Sequence, residues 1–264
     1  MQIHRFSRIF TAAFMIILGL STPAQQRKED MILRSFVITR GTEVVTKRPK
    51  PALKPAGPVG IGYTVFKKDK SGKPIRVNPA EEFQSGDEMR FVIESNTDGY
   101  LYIFHQANDG PPKMIFPDAR LKRGDNRIEA HAQYEAPSSQ EPGNWWFNFF
   151  GSAATERFYL VVSRNRLPAV WSGERLVAYC QQHPTECPWR PADVTWKQLL
   201  AQATTQTRES RSQSFGDEQT EIEQKAIRRD VKLQPNDPAP SVIKINASPA
   251  GRIIMAMVDI VHKE

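Results

Sequence analysis

The residues of this chain that could do chemistry are scattered, and few stand at spacings that chemistry uses. Cys180 and Cys187 flank His183-Pro184 in the segment CQQHPTEC. In an oxidising compartment two nearby cysteines tend to pair. A catalytic dithiol is ordinarily C-x-x-C, and structural zinc asks for four ligands at tighter spacing. A structural disulfide is therefore expected, with two unpaired thiols, a redox pair or a metal site with His183 as alternatives. His105, His131, His183 and His262 are isolated from one another in sequence. The carboxylate pairs Glu81-Glu82 and Asp87-Glu88 lie in polar turns, where nothing desolvates a carboxyl for acid catalysis. No G-x-S-x-G, H-E-x-x-H or G-x-x-x-x-G-K-[ST] occurs. The expectation is no catalytic residue, no cofactor and no metal, with a hydrolase of dispersed active site as the alternative.

Binding chemistry has three candidates. In Asn144 to Phe150 (NWWFNFF) aromatic residues crowd one strand. Adjacent strand residues point to opposite faces, so if Trp145, Phe147 and Phe149 face the core, Trp146 and Phe150 face outward as a partner or glycan platform. The bland alternative is that both faces are covered. Asp98-Gly99-Tyr100-x-Tyr102 frames a site or, more simply, a turn with core tyrosines behind it. The basic spacer with Lys47, Arg48, Lys50 and Lys54 either holds the protein to an anionic envelope polymer or acts as a plain tether.

The elements that must position these residues are mostly strands. Ile61 to Lys68 and Met89 to Ser95 alternate apolar and polar residues, and Asn96 to Gly99 is a hairpin signal between Met89–Ser95 and Tyr100–Gln106. Tyr100 to Gln106 is apolar on both faces, as a strand covered on both sides would be. Lys113 to Phe116, Arg127 to Ala130, Trp145 to Phe150 and Arg157 to Ser163 continue the run. Short strands with regular turn signals point to an all-β fold, an antiparallel β-sandwich. Within the polar stretch 206–240, which as a whole reads as flexible, a solvated helix around Glu218 to Arg229 is an alternative. Helices are expected over 173–182, capped by Ser172, and from Thr195 to about Thr205, whose Thr-x-x-Gln start has capping-box form. They form a small helical insertion before the final strands, Val242 to Asn246 and Ile253 to Val261.

The order Gly86-Asp87, Phe91, Ser95-Asn96, Asp98-Gly99-Tyr100-Leu101-Tyr102, Asp109-Gly110, Phe116-Pro117, Asn126-Arg127-Ile128 and Ala154-Thr155-Glu156-Arg157 resembles the bacterial family catalogued as domain of unknown function 4384. Val258-Asp259-Ile260-Val261-His262 is similar to that family's closing strand. The resemblance spans about residues 60–170 and the last 20 or so. It implies a small β-rich module in exported or envelope-associated proteins and supplies no catalytic residues.

Export is also read from the start of the chain. Residues 1–24 combine a basic start (His4, Arg5, Arg8), the uncharged apolar run Ile9 to Leu20, and the small residues Ser21 to Ala24. This is the pattern of a cleavable signal peptide, and an uncleaved anchor is its alternative. No later stretch has membrane-spanning length, so no transmembrane segment is expected after cleavage. Residues 25–58 form a basic, Pro-rich arm. Residues 25–56 hold eight basic and three acidic residues, and residues 57–264 balance at 26 of each. The folded part therefore has no global field for nucleic acid, despite a net charge of +7 and a pI near 9.4.

The expected organisation is a sandwich core over 59–170, the helical insertion over 171–205, a flexible linker over 206–240, and strands over 241–264 that return to the sandwich. The expected function is an exported, non-catalytic module, periplasmic or secreted, that binds a protein partner or an anionic envelope polymer. A purely structural spacer domain is the further alternative.

Overall fold

The computed structural model describes residues 57–138, 146–203, 206–229, 237–248 and 250–264. The expected signal peptide, residues 25–56 of the arm with Lys47, Arg48, Lys50 and Lys54, and Trp145 lie outside the described residues. Among the described residues, thirteen strands form two sheets in an antiparallel β-sandwich. In chain order they are β1 (Gly60–Lys68), β2 (Pro74–Val77), β3 (Phe83–Gln84), β4 (Glu88–Ser95), β5 (Gly99–Ala107), β6 (Lys113–Phe116), β7 (Arg127–Ile128), β8 (Gln133–Ala136), β9 (Phe147–Asn148), β10 (Ala154–Ser163), β11 (Thr207–Arg211), β12 (Val242–Asn246) and β13 (Ile253–Lys263). The first sheet runs β11-β12-β1-β4-β8, with β2 on β1 and β9 on β4. The second runs β3-β13-β10-β5-β6, with β7 on β5. Among the described residues every strand pairing is antiparallel except that of β3 with β13, which is parallel.

Period-two alternation builds the core between the sheets. Ile61, Tyr63 and Val65 of β1 and Met89, Phe91 and Ile93 of β4 face Leu101 and Ile103 of β5, Phe158, Leu160 and Val162 of β10, and Ile254, Ala256, Val258 and Ile260 of β13. Phe91 and Phe158 meet edge to face, 5.0 Å between centroids. As expected, β13 returns to the sandwich, pairing along the full length of β10 from Ala154↔His262 to Ser163↔Ile253.

The expected apolarity of both faces of β5 has its cause in two helices, α1 (Glu174–Gln182) and α2 (Asp193–Ala203). Leu176, Leu199 and Ala203 of these helices cover Tyr102, Phe104, Tyr159 and Val161 on the outer face of the second sheet. Their starts differ from expectation. Gly173, at φ 60°, caps α1 without a side-chain bond. The second helix begins two residues before Thr195, so its Thr-x-x-Gln lies inside the helix. Cys180 and Cys187 form the disulfide, joining the last turn of α1 to the loop before Pro188, Cα to Cα 5.7 Å.

The expected flexible linker over 206–240 is corrected. Strand β11 adds to β12 over the full register Thr207↔Asn246 to Arg211↔Val242, and α3 (Glu221–Arg229) follows. Thr220 and Glu223 close a capping box at the start of α3: Thr220 N donates to Glu223 Oε2 (3.0 Å) and Glu223 N to Thr220 Oγ1 (3.3 Å). The segment is polar because it docks through charge. Arg76 and Glu223 form a buried ion pair, with side chains 2% and 3% exposed. Arg76 also donates to Thr64 Oγ1 and Ser241 Oγ (3.3 and 3.2 Å) and lies over the Phe66 ring. Beside it, Arg90 pairs with Glu135 at 3.0 Å and donates to Gln219. Composition reads such a segment as solvated, since it carries no apolar stripe.

Candidate functional site

The aromatic segment divides. Trp146 is 6% exposed, which corrects the expected outward pair with Phe150. The alternation itself holds, since Phe147 and Phe149 pack on the sandwich core. The opposite face is covered where Trp146 lies: its ring meets Phe66 and Val92, with the Arg90 guanidinium 4.3 Å and the Lys68 ammonium 5.0 Å from its centroid. That cover ends before Phe150, which is 74% exposed. Phe149 N donates to Asp87 O and Phe149 O accepts from Gly86 N, so the backbone that presents Phe150 is pinned.

Two histidines, separate in sequence, converge on one carboxylate. His105 on β5 and His262 on β13 flank Glu156 on the intervening β10. His105 Nε2 contacts Glu156 Oε2, and His262 Nδ1 stands 4.0 Å from Oε1. His262 stacks on Phe149 and is 2% exposed. No hydroxyl or thiol among the described residues is hydrogen-bonded to either ring. No group of three potential ligands among the described residues is disposed to hold a metal ion.

The cluster carries a pH dependence. Burial holds the His105 imidazole below its ordinary value, and the Glu156 hydrogen bond offsets part of that. The unfolded chain then takes up this proton at a higher pH than the fold does. The stabilising contribution is complete above the unfolded value of about 6.5 and is lost as pH falls through the lower, folded value. The midpoint of urea unfolding should fall between about pH 7 and pH 5. His105→Gln should flatten that fall, and an unchanged slope would remove His105 as its source.

Part of the family resemblance, Asp98 to Tyr100, Phe116 and Arg127-Ile128, gathers at the other end of the sandwich, round an open cleft. It lies where the edge strand β8 of one sheet stands across from β6 and β7 of the other, and its volume is about 860 Å³. Asp98, Gly99, Tyr100, Asp125, Arg127 and Ile128 form one wall; Ala132 to Glu135 form the other; Phe116, Asp118, Leu121 and Lys122 complete it. Most motif side chains hold the wall in place. Asp98 Oδ1 accepts from Ala130 N (2.8 Å). Asn96 Oδ1 accepts from Gly60 N (2.7 Å), and its Nδ2 donates to Pro58 O (3.0 Å). Asn126 Nδ2 donates to Leu101 O (3.0 Å). Tyr102 is core and accepts from Leu167 N. At the rim, Arg164 donates to Thr97 Oγ1 (2.8 Å) and to Gly57 O.

Asp98-Gly99-Tyr100 was legible in sequence as a possible frame. Phe116, Tyr134, Lys122 and Arg164 were not, because the sheet edges that bring them together are set by long-range register. Phe150, the other sequence candidate, is not among the residues that line this cleft.

Fold and cleft together define a β-sandwich module open along one lateral edge. Residues 82–166 match the model of the family described as Domain of unknown function (DUF4384). The match, from β3 to β10, bears out the family resemblance over a narrower range than expected and leaves β1, β12 and β13 outside it. No curated protein and no solved structure matches this chain.

Proposed function

We propose that this protein is an exported, non-catalytic module whose lateral cleft holds an extended segment of a protein partner. The observation that carries the reading is the cleft itself. Two sheet edges face a space of about 860 Å³ that combines the rings of Tyr100, Phe116 and Tyr134 with polar side chains of both signs. Backbone edges beside aromatic and polar pockets suit an extended peptide. The signal-like start of the chain and the Cys180–Cys187 disulfide support an extracytoplasmic, oxidising destination. No helix among the described residues is long and apolar enough to cross a membrane. The balanced charge of residues 57–264 argues against nucleic acid.

The test is affinity capture from the native envelope with an exposed cleft residue reversed in charge. Lys122→Glu should weaken capture of a defined protein partner about tenfold, or ~1.4 kcal/mol, with the melting temperature unchanged. Phe150→Ala should leave capture intact. Capture lost with Phe150→Ala and retained in the cleft variant would move the site to that exposed ring. Recovery of cell-wall or lipid material alone would replace the protein partner with a polymer, and turnover of chromogenic glycoside, ester or peptide substrates would overturn the non-catalytic reading.

A further inference from the structure

We infer that the cleft is occupied in cis by the chain's own basic, proline-rich arm, residues 47–56, which a partner segment must displace. This rests on the reading of the cleft as a peptide site. The first observation is where the arm joins the fold. Gly57 is held at the cleft rim, its carbonyl accepting from Arg164, and the same guanidinium ties down Thr97. Arg164 and Asp98, the residue after Thr97, both line the cleft. The arm therefore enters the fold beside the cleft.

The second observation is reach. Residues 47–56 (KRPKPALKPA) extend to about 31 Å in polyproline conformation, at about 3.1 Å per residue. They start from the rim, so little chain is spent reaching the site. The third is chemistry. The segment carries Lys47, Arg48, Lys50 and Lys54, no acid, and Pro49, Pro51 and Pro55. Aromatic-lined grooves receive proline-rich segments, whose fixed φ lowers the entropy lost on docking. Five carboxylates line the cleft against three cations. Asp118, Asp125 and Glu135 already pair with Arg120, Arg127 and Arg90, so charge adds less to the argument than position and proline content. Tethering makes the arm a competitor at high effective concentration, so even weak docking masks the site.

The experiment uses the full chain, isotope-labelled for NMR, with Ala52→Cys carrying a nitroxide; the native cysteines are paired. The label should broaden the amides of Gly99, Tyr100, Phe116 and Lys122 severalfold more than the same label in a chain with Lys47, Arg48, Lys50 and Lys54 changed to Glu and Pro49, Pro51 and Pro55 changed to Ala. Equal broadening in both chains would mean mere tethering and would overturn the inference, as would broadening centred elsewhere. Broadening in a mixture of nitroxide-bearing and isotope-labelled molecules would assign the occupant to a second copy and overturn the cis arrangement. The altered-arm chain should also capture partner severalfold more strongly, since its site is unmasked. If broadening fails while Lys122→Glu still weakens capture about tenfold, the arm inference falls and the cleft stands. If Lys122→Glu leaves capture unchanged, the cleft reading falls with it.

Discussion

Arg76→Ala should destabilise the fold by about 3–5 kcal/mol, because it leaves Glu223 buried without its cation. The loss is specific to this geometry. Arg76 lies on β2, is 2% exposed, and bonds to Thr64, Ser241 and Glu223 on three different segments. Glu223 cannot turn to solvent, because its other oxygen holds the capping box of α3 through Thr220 N and Oγ1. Urea unfolding gives the magnitude, and hydrogen exchange gives the place: protection should be lost first over β11 and α3 while β4, β5 and β10 keep theirs. The double change Arg76→Met with Glu223→Leu should recover most of the loss, since an apolar pair removes the unpaired charge. A single variant within about 1 kcal/mol of the parent would show that water reaches the pair and that the segment docks by other means.

Gly99→Ala is the second large expectation, a loss of about 1–3 kcal/mol, toward the upper end. A Cβ at this position would stand 2.4 Å from Ser163 O and 3.1 Å from its carbonyl carbon, both backbone atoms that no rotamer change can move. The strain is steric, arising where β5 starts beside the end of β10. Relief requires the ends of those strands to part, and Arg164, next to Ser163, would move with them at the cleft rim. Thermal unfolding reads the stability. Amide shifts of Thr97, Arg164 and Arg127 read the rim. An Ala variant of parental stability with an unshifted rim would mean that the strands already separate there in solution. The Asp-Gly pair of the family pattern is thus explained by packing, with Asp98 capping Ala130 N and Gly99 clearing Ser163.

What could be read from sequence follows from what leaves a local trace. Alternation in Ile61–Lys68 and Met89–Ser95 announced β1 and β4, and two-faced apolarity announced β5. The 206–240 segment misled because the groups that bury it are Arg76, Arg90, Glu223 and Gln219, polar residues whose partners lie far away in sequence. One local signal was present, Thr220-x-x-Glu223, of capping-box form. Trp146 misled because alternation tells which face a residue takes and not what covers that face. The cleft was half legible: Asp98, Gly99 and Tyr100 stand in a recognisable turn, although it crosses from one sheet to the other and does not close the expected hairpin of β4 with β5. Tyr134, Phe116 and Arg164 reach the cleft through the pairings of β8 with β4, β6 with β5 and β10 with β5.

The place of β13 bears on how this chain is made. The matched segment ends before β12 and β13, yet β10 pairs with β13 from Ala154↔His262 to Ser163↔Ile253, and Ile254, Ala256, Val258 and Ile260 fill the core. A ribosome that has released the chain through residue 166 has released β1 to β10, with the edge of β10 opposite β5 still unpaired. Closure waits for the last strand across a separation of about 100 residues, the non-local pairing that slows folding. The sandwich therefore closes late in synthesis, once β13 is free to pair with β10.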